Sequence, residues 1–416
     1  MELKRVVVTG LGALTPIGKN VDEYWASLEN GVSGADTITR FDTSNFKTTF
    51  ACEVKNFNAA DFLDRKEARK LDLFSQFGLV ATAEAIKDAG IEPGNFEPHR
   101  AGVIWGSGIG GLETFFAEAT EFERGGRIPR FNPFFIPKMI PDIMAGHASI
   151  KYQFRGPNYA TVAACASSCI AIIDAFNLIR LGKADVFITG GSEAAVNEGG
   201  IGGFNALHAI STRNDDPKTA SRPFDLDRDG FVLGEGAGVV ILEEYEHAKK
   251  RGAKIYCEVG GGGLSGDAHH ITASHPEGVG AYHSMMSAID DAELKPEDID
   301  YINVHGTSTP VGDLSEPLAI KNVFGDHAYK LSISATKSMT GHLLGAAGAA
   351  EAIATILAIK NDIVPPTINH FTDDPRIDNK LDFTYNKAKK RVINAAICNT
   401  FGFGGHNSTA LFKKLK

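Results

Sequence analysis

Three side chains of this 416-residue chain carry the strongest chemical possibilities: Cys165, His305 and His342. Cys165 stands in TVAACASSCIAIIDAF, where small residues flank a thiol and an apolar run of helical period begins directly after it. A thiol at a helix start meets unpaired backbone N–H groups and the positive end of the helix dipole, which lower its pKa. The placement predicts a nucleophile, against the commoner fate of a free cysteine as a buried structural thiol. His305 follows the apolar run YINV and opens HGTSTPVGDLSE, which places its imidazole at a strand end. His342, in SATKSMTGHLLGAAGAAEAI, precedes a helix whose alanines and glycines predict close backbone packing, and Lys337 lies just before it in a loop.

Brought together, these groups describe one kind of chemistry. The thiolate takes an acyl group from a thioester, and two neutral imidazoles donate N–H bonds to a second thioester carbonyl, stabilising an enolate. That is carbon–carbon bond formation. A cysteine hydrolase uses one histidine as base and an Asn or Asp to orient it, which leaves the second histidine without a task.

Other motifs point elsewhere more weakly. GSGIGG, with Gly106, Gly108 and Gly111 after an apolar run, has the form of the dinucleotide pattern G-x-G-x-x-G. Such a site also needs an acidic residue closing a second strand further on, and LETFFAEATEFERGGR supplies no such strand. Close packing of a helix on a strand is the simpler role for these glycines. His269, His270 and His275 lack metal-ligand spacing, so a polar entrance loop is expected there and no metal.

Composition narrows the class. Lys+Arg 42 against Asp+Glu 51 leaves a net charge of -9 with no long basic run, which argues against nucleic acid. Five cysteines, odd in number and scattered, argue against a secreted disulfide framework and for a reducing compartment, the cytoplasm by default. No uninterrupted apolar stretch reaches the roughly 18 residues of a spanning helix, so no membrane is expected. The opening MELKRVVVTGLGALTPIG reads as a strand and turn, because Thr9, Gly10 and Gly12 break its apolar run.

The elements that must position the three side chains alternate short apolar strands with helices. RVVVTG, AGVIWGSG, ADVFITGG, GAGVVILEE, YINVHG and VINAAICNT read as strands, with DLFSQFGLVATAEAIKDAG and SSCIAIIDAFNLIRLG as helices. Nearly all-apolar strands separated by helices indicate an α/β class with sheets covered on both faces. A weak internal duplication aligns the helix after Cys165 with the helix after His342. Two related halves, 1–252 and 253–416, meet face to face and bring both helix starts to one site; the boundary falls near Gly252 in KKRGAKIY.

AACASS around Cys165, HGTSTPVGD around His305, ATKSMTGHLLGAAGAAE and FGFGG together resemble the β-ketoacyl-acyl-carrier-protein synthases, specifically the elongating type II enzymes, over essentially the whole chain. The resemblance implies a thiolase fold, two βαβαβαββ halves in a five-layered α-β-α-β-α body, and a homodimer. It implies a ping-pong decarboxylating Claisen condensation with malonyl-acyl carrier protein, and no cofactor. Cys165 is then the acylated nucleophile, and His305 and His342 promote decarboxylation. Lys337 maintains electrostatics with Glu351 as its support, and the Cys165 and Phe403 N–H groups form the oxyanion hole. Phe403 is also the gate, with Gly402 and Gly404 giving it freedom to swing. Ile109 and Phe204 match the acyl pocket, and Lys66, Arg69 and Lys70 match the carrier-docking segment. The alternatives are a polyketide-type ketosynthase, a noncatalytic chain-length partner, or a thiolase using Cys398 as a second cysteine.

Overall fold

The computed structural model describes residues 3–415. Ten strands form its main sheet: β1 Val6–Leu14, β2 Ala101–Gly106, β3 Asn158–Thr161, β4 Val186–Glu193, β5 Gly236–Glu244, β6 Cys257–Gly266, β7 Tyr301–Asn303, β8 Ser332–Ser334, β9 Ala395–Gly402 and β10 His406–Lys413. Every residue of β1, β2, β4 and β5 is buried. Strands covered on both faces read as continuous apolar runs, which is why these four are visible in the sequence.

The strand order is β8-β7-β9-β10-β6-β1-β5-β4-β2-β3. Counted within each half, both run third, second, fourth, fifth, first from the outer edge to the centre. In each half the fifth strand is antiparallel to its neighbours and the remaining pairs are parallel. The halves join where β1 meets β6 antiparallel, at Val6↔Val259, Val7↔Glu258 and Val8↔Cys257. The duplication is therefore a repeat of topology.

Helices fill three further layers. Helix α1, Leu73–Ala89, covers one face of β1, β5 and β4; its start is capped by Asp72 and its end stopped by left-handed Gly90. Helices α2, Ser167–Arg180, and α5, Ala347–Asn361, pack on each other between the two halves of the sheet. Helices α3, Val279–Asp291, and α4, Gly312–Phe324, cover the second half from outside. Three apolar clusters fill the spaces between these layers. Gly348 permits the central contact, since a Cβ there would lie 2.8 Å from the Cys169 Cβ.

Two expectations need correction: Lys337 opens the short helix Lys337–Thr340 and does not lie in a loop, and two helix starts fall later than expected. Neither reactive residue opens its helix: α2 begins at Ser167, after Cys165, and α5 begins at Ala347, after His342. Left-handed backbone at Leu344 (φ 49°) and the short 3-10 turn Leu344–Ala346 separate His342 from α5. GSGIGG packs a helix closely on a strand, because a Cβ on Gly106 would lie 2.3 Å from the Ser168 nitrogen at the start of α2.

Candidate active site

Cys165 sits on a strained turn between β3 and α2. Ala164 before it adopts φ 48°, a conformation that costs a non-glycine residue roughly 1 kcal/mol or more and persists only where neighbours over-determine it. Those neighbours are specific. The Ala163 carbonyl accepts from Ala166 N–H at 3.0 Å, the Ala164 carbonyl accepts from the Ser167 hydroxyl at 2.7 Å, and Ser167 Oγ accepts from Ala163 N–H at 2.9 Å. The end of β9 closes over the turn. A Cβ on Gly402 would lie 2.6 Å from the Ala163 oxygen, so space rather than backbone freedom explains that glycine. Positive φ falls instead on Gly404 (87°) and Gly405 (75°), in the turn after half-buried Phe403.

The two histidines converge on the thiol from the second half. His342 Nε2 lies 3.0 Å from Cys165 Sγ. Its backbone is fixed to the first half by its N–H donating to Val232 (2.7 Å) and its carbonyl accepting from Gly234 (2.9 Å). The rings of His305 and His342 are 5.3 Å apart at 86°. Nδ1 of each imidazole is buried with no hydrogen-bond partner among the described residues. Burial first, and the charge of Lys337 second, hold both imidazoles well below the ordinary histidine range, so they are neutral near pH 7 and able to present N–H donors.

Lys337, 2% exposed, forms an ion pair with Glu351 behind the histidines. Burial pushes the Glu351 carboxyl up to about 7 against the pull of Lys337. A second buried carboxyl, Glu316 on α4, accepts the N–H groups of His305 (2.9 Å) and Gly306 (3.0 Å) and the Asn399 amide (3.2 Å). It holds the His305 turn in place. Glu316 was not singled out in the sequence, where it is one acid within a helix of unknown facing.

The thiol itself departs from expectation. Burial raises Cys165 to about 12, with Lys337 and the Phe403 backbone N–H the groups that pull it down. α2 begins two residues after Cys165, and His342 Nε2 is in hydrogen-bond contact with the thiol. The approach of the Phe403 N–H to the sulfur also places a donor where an acyl carbonyl on that sulfur would be.

A cavity of about 410 Å³ opens above these groups, lined by Cys165, His305, His342 and Phe403, and by Ile109 and Phe204. Ile109 is 37% exposed at its wall. Thr272, Ala273 and Ser274 of the histidine-bearing loop also line it, as an entrance loop should, and no cluster of three metal-ligating side chains occurs among the described residues. Cys398 is buried against the Gly348 carbonyl at 4.0 Å and does not line the cavity, which removes the second cysteine a thiolase would use. Lys66, Arg69 and Lys70 lie on and beyond the short helix Arg65–Ala68, away from the cavity lining, and Lys70 pairs with Glu67 at 2.7 Å.

The family model for the beta-ketoacyl synthase N-terminal domain matches residues 3–248, and the model for its C-terminal domain matches residues 256–371. The chain belongs to the beta-ketoacyl synthase family. A 3-oxoacyl-[acyl-carrier-protein] synthase 2 of Staphylococcus aureus (strain N315) is 51% identical over 414 residues, covering 99% of each chain. A solved beta-ketoacyl synthase from Burkholderia phymatum STM815 superposes with a TM-score of 0.91 at 35% identity, over 99% of this chain and 100% of that one. A type II polyketide ketosynthase, solved with its acyl-carrier protein and bound to the hexaketide, superposes with a TM-score of 0.90 at 33% identity over 100% of both chains. The duplicated topology is thus the ketosynthase thiolase fold, and this beta-ketoacyl synthase is a condensing enzyme of the acyltransferase class.

Proposed function

We propose that the chain elongates fatty acyl chains by two carbons, as a 3-oxoacyl-[acyl-carrier-protein] synthase with Cys165, His305 and His342 as its catalytic residues. The observation that carries this reading is the convergence of one thiol and two neutral imidazoles at the cavity floor. In the first half-reaction Cys165 sulfur attacks the acyl thioester carbonyl as its proton passes to His342 Nε2. The tetrahedral oxyanion accepts from the Cys165 and Phe403 N–H groups, and as it collapses the carrier thiolate leaves with the proton that His342 had taken. In the second, with Cys165 acylated and the single ring proton of neutral His342 now on Nε2 by exchange through solvent, His305 and His342 donate N–H bonds to the malonyl thioester carbonyl, the carboxylate departs as carbon dioxide, and the electrons of that bond form an enolate. The enolate carbon attacks the acyl carbonyl on Cys165, the C–S bond breaks, and the thiolate takes up a proton. No metal or organic cofactor enters these steps.

Lys337 and Glu351 support the pair electrostatically. Ile109 and Phe204 read acyl length, since each buried methylene is worth about 0.8 kcal/mol. An acidic carrier protein docks on Lys66, Arg69 and Lys70, a contact that steers association and weakens with salt. The relative solved with its acyl-carrier protein supports a carrier partner. Residues 1–252 supply the nucleophile and 253–416 the histidines. The five free thiols suit a reducing cytoplasm.

The protein acts as a homodimer. Edge strand β3 has a neighbour on one side only, and Tyr159 within it and Val162 just after it are 38% and 60% exposed. An open strand edge of this kind pairs with a second copy about a twofold axis.

Purified protein given acyl- and malonyl-carrier should release carbon dioxide and form a 3-oxoacyl-carrier. Absence of product with both carriers bound would overturn the reading. The likeness to polyketide ketosynthases at 33% keeps a polyketide substrate as the second reading, and a competition among acyl carriers of different length and oxidation separates the two.

A further inference from the structure

One buried carboxylate beside the cavity has no part in the chemistry above. Glu193 closes β4, is fully buried, and is surrounded by donors from both halves of the molecule. Its Oε1 accepts from the Ser107 hydroxyl (2.9 Å), Ile109 N–H (3.2 Å) and Gly110 N–H (3.3 Å). Its Oε2 accepts from Gly108 N–H (2.7 Å) and Gly345 N–H (3.0 Å). Backbone N–H groups cannot accept a proton, so this donor set is matched to an ionised carboxylate. Burial pushes the carboxyl upward while the same donors pull it back. The glycine turn that has the form of a phosphate cradle is filled by the protein's own anion.

The two segments that share this carboxylate are both pocket walls. Gly108 and Ile109 line the cavity from the first half, and Leu344, held at φ 49°, lines it from the second. The segments touch through glycine: a Cβ on Gly345 would lie 2.2 Å from the Gly108 nitrogen and 2.6 Å from Glu193 Oε2. One side chain therefore sets the spacing between the Ile109 turn and the Leu344 turn.

We infer that Glu193 is a positioning residue for acyl-chain selection, clamping the Ile109 turn to the Leu344 turn and so setting the width of the acyl pocket between them. The inference rests on the condensing function proposed above. A chain long enough to pass Ile109 depends on that spacing, whereas a short chain near Cys165 does not.

The test uses Glu193→Gln, which keeps size but turns an amide N–H toward N–H donors, and Ser107→Ala, which removes one donor and keeps the carboxylate. Both full-length variants and the wild type are assayed for kcat/KM with butyryl- and dodecanoyl-carrier, after thermal melting confirms folding. The dodecanoyl-to-butyryl ratio should fall roughly tenfold in Glu193→Gln and by a smaller factor in Ser107→Ala. An unchanged ratio in folded Glu193→Gln, including equal losses on both substrates, overturns the inference. If Glu193→Gln does not fold, an unchanged ratio in Ser107→Ala overturns it. A wild type that condenses neither carrier overturns the proposed function, and this inference with it.

Discussion

His342 Nε2 and Cys165 Sγ are 3.0 Å apart, so the imidazole in contact with the thiol comes from the opposite half of the molecule to the thiol itself. The nucleophile is assembled by the meeting of the halves. α2 begins after Cys165, at Ser167.

The resting thiol should behave as a thiol. With Cys165 raised to about 12, alkylation by iodoacetamide should climb about tenfold per pH unit through neutrality without levelling. A plateau in the alkylation rate below about pH 8 would show a preformed thiolate and contradict this.

Lys337 and Glu351 should be more costly to separate than to remove together. Lys337→Met leaves a carboxyl buried without its partner and should lower stability by about 3–5 kcal/mol in urea unfolding. Lys337→Met with Glu351→Leu should recover most of that loss while condensation stays impaired. Equal destabilisation in the single and double variants would show that the pair is not coupled.

Acid should lower the stability of the protein before it protonates the site. Folded His305 and His342 titrate well below 6.5, the value for a free imidazole, so the unfolded state binds more protons as pH falls through that value. Stability therefore drops below pH 6.5, while the acid limb of malonyl decarboxylation in the folded enzyme lies lower still. A pH–rate profile whose acid limb has its midpoint at or above the free-imidazole value would contradict neutral, buried histidines.

Gly402 should tolerate no side chain. A Cβ 2.6 Å from the Ala163 oxygen must displace the Cys165 turn, so Gly402→Ala should cost about 1–3 kcal/mol and slow acylation more than carrier binding. Normal acylation in that variant would show that the turn and β9 are independent.

What the sequence reveals depends on how local the physics is. β1, β2, β4 and β5 are legible because burial on both faces leaves an unbroken apolar run. β6, CEVGGGGLSG, is not, because its glycines are set by a distant helix: a Cβ on Gly263 would lie 1.9 Å from the Ser284 oxygen of α3. Cys165, His305, His342 and Lys337 are legible from their motifs. The burial of Cys165, which raises its thiol, is not legible because a motif does not report burial. Glu193 and Glu316 were missed because the groups that define them, at 107–110 and 345 or at 305, 306 and 399, are remote in sequence or lie across a turn from an anonymous acid.

The most direct measurement follows both half-reactions in His305→Ala, by intact mass for the acyl group on Cys165 and by carbon dioxide release after malonyl-carrier is added. The predicted result is an acyl-enzyme that forms at close to the wild-type rate and then fails to decarboxylate malonyl-carrier. Decarboxylation at the wild-type rate, or equal loss of both half-reactions, would contradict the assignment of one thiol to the acyl group and an imidazole pair to the malonyl group.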